Sequence, residues 1–139
     1  MKKKFGIVLS ALVSASSVLA APAPAKAAAP TVKAGPCEGM PTIETNACWN
    51  KEFDIAESGL KEKFTIAIDR FKAAKKDALA DQLKKSHYDW VVARTSHCDF
   101  MEKATAGTPA EAGSKARCKY QLTQDRMNTL AALIAQMSS

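Results

Sequence analysis

Trp90-Val-Val-Ala-Arg94-Thr-Ser-His-Cys98, a connecting stretch that holds Gly107 and Pro109, and then Gly113-Ser-Lys-Ala-Arg-Cys118 decide how this chain folds. Trp90, Arg94 and Cys98 follow one another at four-residue steps, which on a helix stacks an aromatic ring, a guanidinium and a thiol along one face. Cys98 and Cys118 bracket the one segment that plainly stops being helical, so a disulfide between them would pin a loop between two helices. The pattern describes a stapled scaffold rather than an active site.

Working outward, the start of the chain sets the compartment. Met1-Lys2-Lys3-Lys4, an apolar run from Phe5 to about Leu19 that is too short for a membrane span, and Val18-Leu19-Ala20 predict a signal peptide over 1–20. Cleavage after Ala20 is expected, with Ala28 as the alternative new terminus after Ala25-Lys26-Ala27. The first cysteine is Cys37, well beyond the apolar run, so no lipid anchor and no membrane anchor after cleavage are expected. Loss of Lys2, Lys3 and Lys4 takes the 20 basic side chains to 17 against 14 acidic, a net of +3. That residue of charge, with no dense Lys/Arg block, gives no reason to expect a nucleic-acid partner.

The mature part keeps all four cysteines, an even count in an oxidising compartment. Four cysteines permit three pairings. Cys37–Cys48 with Cys98–Cys118 is preferred, because each pair closes a segment that contains Gly and Pro between helical patterns. No Cys-x-x-Cys is present, which speaks against a zinc site or a thioredoxin-like centre. Each bridge would add about 3 kcal/mol in the chain-entropy model, a large share of a small domain's stability.

Residues 21–36 are Ala- and Pro-rich with no apolar face, and are predicted to be a disordered linker before a helical domain at 37–139. Thr45 and Asn46 are available as caps before a first helix from Ala47 to about Ala74, whose apolar residues Phe53, Ala56, Leu60, Phe64, Ala67, Phe71 and Ala74 recur at steps of three and four. Gly59 weakens that helix by about 1 kcal/mol relative to Ala. Lys75-Lys76-Asp77 offers a break, with Asp77 as the cap of a second helix bearing Leu79, Leu83, Ser86 or His87, Trp90, Ala93, His97 and Met101. With no Pro or Gly between 60 and 106, the sequence also leaves open one long bent helix over 47–104. A third helix runs from about Lys115 to Met137 with Cys118, Leu122, Leu130, Leu133, Ile134 and Met137 inward. No strand pattern occurs, so the fold class is all-α: a small disulfide-stapled bundle of about three helices around a core of one Trp, several Phe and Leu, and Ala.

Candidate chemistry is sparse. His87 and His97 are ten residues apart with no accompanying metal-ligand motif, and no nucleophile elbow or phosphate-cradling Gly loop is present. Neither catalytic residues nor metal ligands nor a cofactor are expected, and the protein is read as a non-enzyme. Glu52, Asp54, Glu57 and Asp69 alternate with lysines as on a solvated helix face. Arg94, one turn after Trp90, can lay its stem on the ring and reach a carboxylate or helix-end carbonyl on a neighbour.

Cys37, Ala47-Cys48 ahead of a helix with Leu60, Leu83, Trp90-x-x-x-Arg94-x-x-x-Cys98, Gly113-Ser114-x-x-x-Cys118 and Leu122-Thr123-x-x-Arg126-x-x-x-Leu130 together resemble the LprI-like lysozyme inhibitor family of small exported helical domains. The likeness spans roughly Cys37 to Leu133. It departs at Glu57-Ser58-Gly59-Leu60-Lys61, where an Asp-x-x-Leu-Asn-like turn is usual, and at His87 and Ala93, where Gln and Tyr commonly flank the Trp motif. The resemblance implies a periplasmic or secreted binding protein that blocks lysozyme-type muramidases, whose cleft works with two carboxylates. Lys115 and Arg117 are then the candidate partner-binding cations, with Trp90, Arg94 and Arg126 structural. The competing expectation is an envelope protein that binds another periplasmic protein or an anionic polymer without inhibiting lysozyme.

Overall fold

The computed structural model describes residues 35–137 and contains three helices, α1 (Thr42–Ala73), α2 (Asp77–Thr105) and α3 (Ser114–Gln136). The signal peptide expected over 1–20, and the expected linker as far as residue 34, lie outside the described residues. Cys37–Cys48 and Cys98–Cys118 are both bridged, the pairing preferred from the sequence. Two long helices replace the single bent one that the sequence also allowed. None of them is long and apolar enough to cross a membrane.

The break between α1 and α2 is a Schellman turn without its usual glycine. Lys75 takes φ +56, the Lys76 amide donates to the Phe71 carbonyl at 2.9 Å, and the Lys75 amide donates to the Lys72 carbonyl at 2.9 Å. These bonds satisfy the last carbonyls of α1 and turn the chain back sharply. The short connection makes α1 and α2 antiparallel, and the loop over 106–113 reverses the chain again, so α3 runs parallel to α1. At one end of that pair Trp49 meets Tyr120, ring centroids 5.4 Å apart. At the other, Arg70 Nη1 donates to the Ile134 carbonyl at 2.8 Å.

The core is a thin seam. Ala56, Leu60, Ala67 and Ile68 of α1, Ala80 and Cys98 of α2, and Ala116 and Leu130 of α3 are buried. Small side chains let the backbones approach closely. Gly59, which costs α1 local propensity, lies where an added Cβ would come 3.0 Å from the Met127 sulfur on α3. The loss of propensity is offset by a close α1–α3 crossing.

Four expectations need correction. First, α1 begins at Thr42 with Pro41 as its N-cap, so Thr45 and Asn46 lie inside it, and Thr45 Oγ1 donates back to the Pro41 carbonyl at 3.0 Å. Proline suits this place because its missing N–H is one that the helix's own carbonyls do not bond. Second, the fully buried tryptophan is Trp49, 2% exposed, whereas Trp90 is half-buried. Trp49 packs with Cys37 and Ala116 beside the Cys37–Cys48 bridge. Third, of the residues expected inward on α2, Leu79, Ala93 and His97 are exposed; Ala80 is buried instead, together with Arg94 and Cys98 on the face that the Trp90-Arg94-Cys98 steps define. Fourth, Lys76 is the N-cap of α2 and Asp77 its first residue; Ala74 is the exposed C-cap of α1 rather than part of its buried face.

Left-handed backbone occurs both at Lys75 and at Gly113, φ +75, the N-cap of α3. Lys75→Gly removes a side-chain penalty and is expected to raise stability by about 0.5–1 kcal/mol. Gly113→Ala is expected to lower stability by about 2 kcal/mol or more, since its Cβ would also stand 2.8 Å from Trp49 Cδ1. Urea unfolding of the two variants should give shifts of opposite sign.

Candidate functional site

Three side chains from three helices meet at Arg94. It is 5% exposed, unusual for a guanidinium. Nη1 donates to Glu57 Oε2 at 2.5 Å and to Thr123 Oγ1 at 2.7 Å, and Nη2 donates to Glu57 Oε1 at 3.3 Å. The ring of Trp90 lies 4.7 Å below the guanidinium and that of Phe53 5.2 Å from it. α2 supplies the cation and one ring, α1 the carboxylate and the other ring, and α3 the hydroxyl. Such a forked, planar group fixes distance and rotation between all three helices at once, which an apolar contact does not.

The stack continues through His87, whose ring lies 5.7 Å from Trp90 and 4.3 Å from Phe64. Arg126 also lies over Trp90, at 5.7 Å, and donates to Ser86 Oγ at 3.3 Å. Burial, and then the positive charges of Arg126 and Arg94, hold the His87 imidazole below its ordinary pKa of 6.5, with Glu57 opposing. Among the described residues no cluster of His, Cys, Asp or Glu could hold a metal ion.

Lys115 and Arg117 lie at the disulfide-bearing end of the bundle, and each has acidic company. Lys115 Nζ is 2.7 Å from Asp99 Oδ1 and 3.2 Å from Glu102 Oε2, which together raise its pKa. Arg117 Nη2 is 2.8 Å from Glu38 Oε1, with its guanidinium 5.6 Å from the Trp49 ring. A shallow cleft of about 550 Å³ opens beside Lys115, lined among others by Ile43, Glu102, Glu111 and Gly113. Its loop wall is internally bonded: the Gly107 amide donates to Glu111 Oε2 at 2.7 Å, and Thr108 Oγ1 donates to the Thr105 carbonyl at 2.6 Å. The surface is therefore exposed yet shaped, with mixed charge rather than a bare cationic patch.

Sequence reasoning missed Glu57, Thr123 and Trp49, and each had a usable signal. Glu57 was grouped with the solvated carboxylates, but it falls between Phe53 and Leu60 on the apolar stripe, four and three residues away. Trp49 extends the same stripe one turn upstream. Thr123 lies on the row Ala116, Tyr120, Thr123, Met127, Leu130, where an isolated hydroxyl marks a buried donor on a neighbour.

Two measurements check the layer. Thr123→Val preserves shape but leaves one Arg94 N–H without its acceptor, and should cost about 1–3 kcal/mol. His87 binds its proton less readily folded than unfolded, so its contribution to stability is complete above pH 6.5 and is lost as pH falls from there through its folded pKa. In unfolding titrations across that window, His87→Phe should show a flatter loss of stability with acid than the parent.

No curated protein and no solved structure matches the chain. A family model described as lysozyme inhibitor LprI matches residues 36–130, which takes in the Cys37–Cys48 bridge, the Arg94 layer and α3 as far as Leu130. By that match, covering more than half of its length, the chain belongs to the LprI lysozyme inhibitor family.

Proposed function

We propose that this protein is exported, through the signal peptide at 1–20, to act in the periplasm or outside the cell as an inhibitor of lysozyme-type muramidases. The observation that carries this reading is the family match over residues 36–130, which include both disulfides. Two disulfides, which persist in oxidising compartments, agree with it.

The inhibitory contact is assigned to the end of the bundle that carries the loop over 106–113, Lys115 and Arg117. A muramidase cleft presents two catalytic carboxylates inside a surface that is often basic. An inhibitor that were simply cationic would be repelled by the rim, and one simply acidic would be repelled by the catalytic pair. Lys115 lies between Asp99 and Glu102, with Glu111 across the cleft. On docking, its ammonium exchanges these carboxylates for one of the enzyme, and the released acids face the basic rim. Exchange of partners keeps the desolvation cost low, because every buried charge retains an opposite one. The loop's internal bonds also limit the ordering cost, which is about 0.5–1.5 kcal/mol for each rotamer-rich side chain immobilised.

Turnover of cell walls by several lysozyme classes, measured with and without the mature protein, tests the activity. Lys115→Ala with Arg117→Ala should weaken inhibition while helix content stays unchanged. The loss of stability should be modest, since exposed ion pairs and cation–π contacts contribute about 1 kcal/mol or less each. Undiminished inhibition by the double variant would remove this end from the contact, and no inhibition of any class by the parent would reject the function.

A further inference from the structure

α2 carries a second apolar row on the side facing away from the core. Tyr88 is 69% exposed, Val92 53% and Phe100 64%, and Ser96 completes the four-residue spacing between the last two. Beside this row runs a groove of about 640 Å³, whose other bank is Val91, Thr95, Asp99 and Lys103, again at four-residue steps. A ridge of i, i+4 side chains next to a groove of the same inclination is the geometry in which two helices interdigitate at about −50°. The natural filling of the groove is thus a ridge like its neighbour.

We infer that this face pairs with a second copy of the chain, α2 against α2 and antiparallel, about a two-fold axis at Ser96. Charge order selects the direction. A parallel pair sets Lys85, Asp89, Asp99 and Lys103 each against its own copy. An antiparallel pair centred on Ser96 instead turns Asp89 towards Lys103 of the second copy, twice by symmetry, and lays Phe100 into the groove beside Val92. A centre two residues earlier, at Arg94, would oppose Lys85 to Lys103 and Asp89 to Asp99. Ser96 is also the small residue that a close crossing needs at its middle. The Lys85–Asp89 contact of 2.7 Å, between two largely exposed side chains, is weak enough to exchange on pairing. One helix face is a small interface, so association is concentration-dependent rather than obligate. The opposite side of α2, with Arg94 and Cys98, is the buried one, so pairing leaves the core untouched.

Sedimentation velocity of the isolated protein from micromolar to millimolar concentration should show a reversible monomer–dimer equilibrium. Val92→Asp and Phe100→Asp should each raise the dimer dissociation constant about tenfold or more, with circular dichroism unchanged. The register is checked separately with a short bismaleimide. Ser96→Cys should give a covalent dimer, Lys84→Cys on the same helix should not, and Phe100→Asp placed in the Ser96→Cys background should suppress the product. A protein that stays monomeric over the whole range overturns the inference. So does a dimer indifferent to both aspartates. A monomer in which Phe100→Asp abolishes muramidase inhibition also overturns it and gives the row to the enzyme contact instead.

Discussion

The bidentate contact between Arg94 and Glu57, closed by Thr123, is the constraint on which the rest of this bundle depends. The apolar seam is narrow and rich in alanine, so it supplies attraction without much directional preference. A buried guanidinium is different, because each N–H without an acceptor costs stability; Nη1 and Nη2 of Arg94 find theirs, while its Nε does not. Only one relative rotation of α1, α2 and α3 lets Arg94 reach both acceptors with Trp90 and Phe53 on its faces. Burying the charge costs solvation, and the half-exposed position of Glu57 moderates that cost. The layer thus serves uniqueness of packing more than bulk stability.

From this middle layer the two ends of the bundle follow different rules. The turn end is closed by backbone bonds around a strained Lys75 and by the Arg70 contact to the Ile134 carbonyl. The other end is closed covalently, with Trp49 packed beside the Cys37–Cys48 bridge and Gly113 admitting its ring. Covalent closure lets that end carry charges and an exposed loop without a deep core beneath them. The proposed contact with a muramidase uses this end, where the shape of Lys115, Arg117 and the loop between α2 and α3 is held by something other than side-chain burial.

Much of this was legible in the sequence. The pairing of cysteines followed from where Gly and Pro interrupt helical spacing, and the Trp90-Arg94-Cys98 steps pointed to an aromatic, a cation and a staple on one side of a helix. The identity of the partner of Arg94 was not legible, because a carboxylate on an amphipathic stripe looks the same in one dimension as one on the solvent face. Only the three-dimensional crossing of α1 and α2 separates Glu57 from Glu52 or Asp54. Glu57 supplies the carboxylate that the buried cation requires. Trp49 was hidden for another reason. It continues the stripe one turn before Phe53, but its burial comes from packing with Cys37 and Ala116, which spacing along one helix does not reveal.

The claim that a charged contact, rather than the apolar seam, sets the arrangement of the helices is tested most directly by a double-mutant cycle on Arg94→Met and Glu57→Gln. The account predicts a coupling free energy of about 2 kcal/mol or more, with the double variant less destabilised than the two single changes would sum to. It also predicts that the double variant, though folded, loses sharp dispersion of its aromatic side-chain resonances. Single effects that add to within about 0.5 kcal/mol, or a double variant with parent-like resonances, would contradict it.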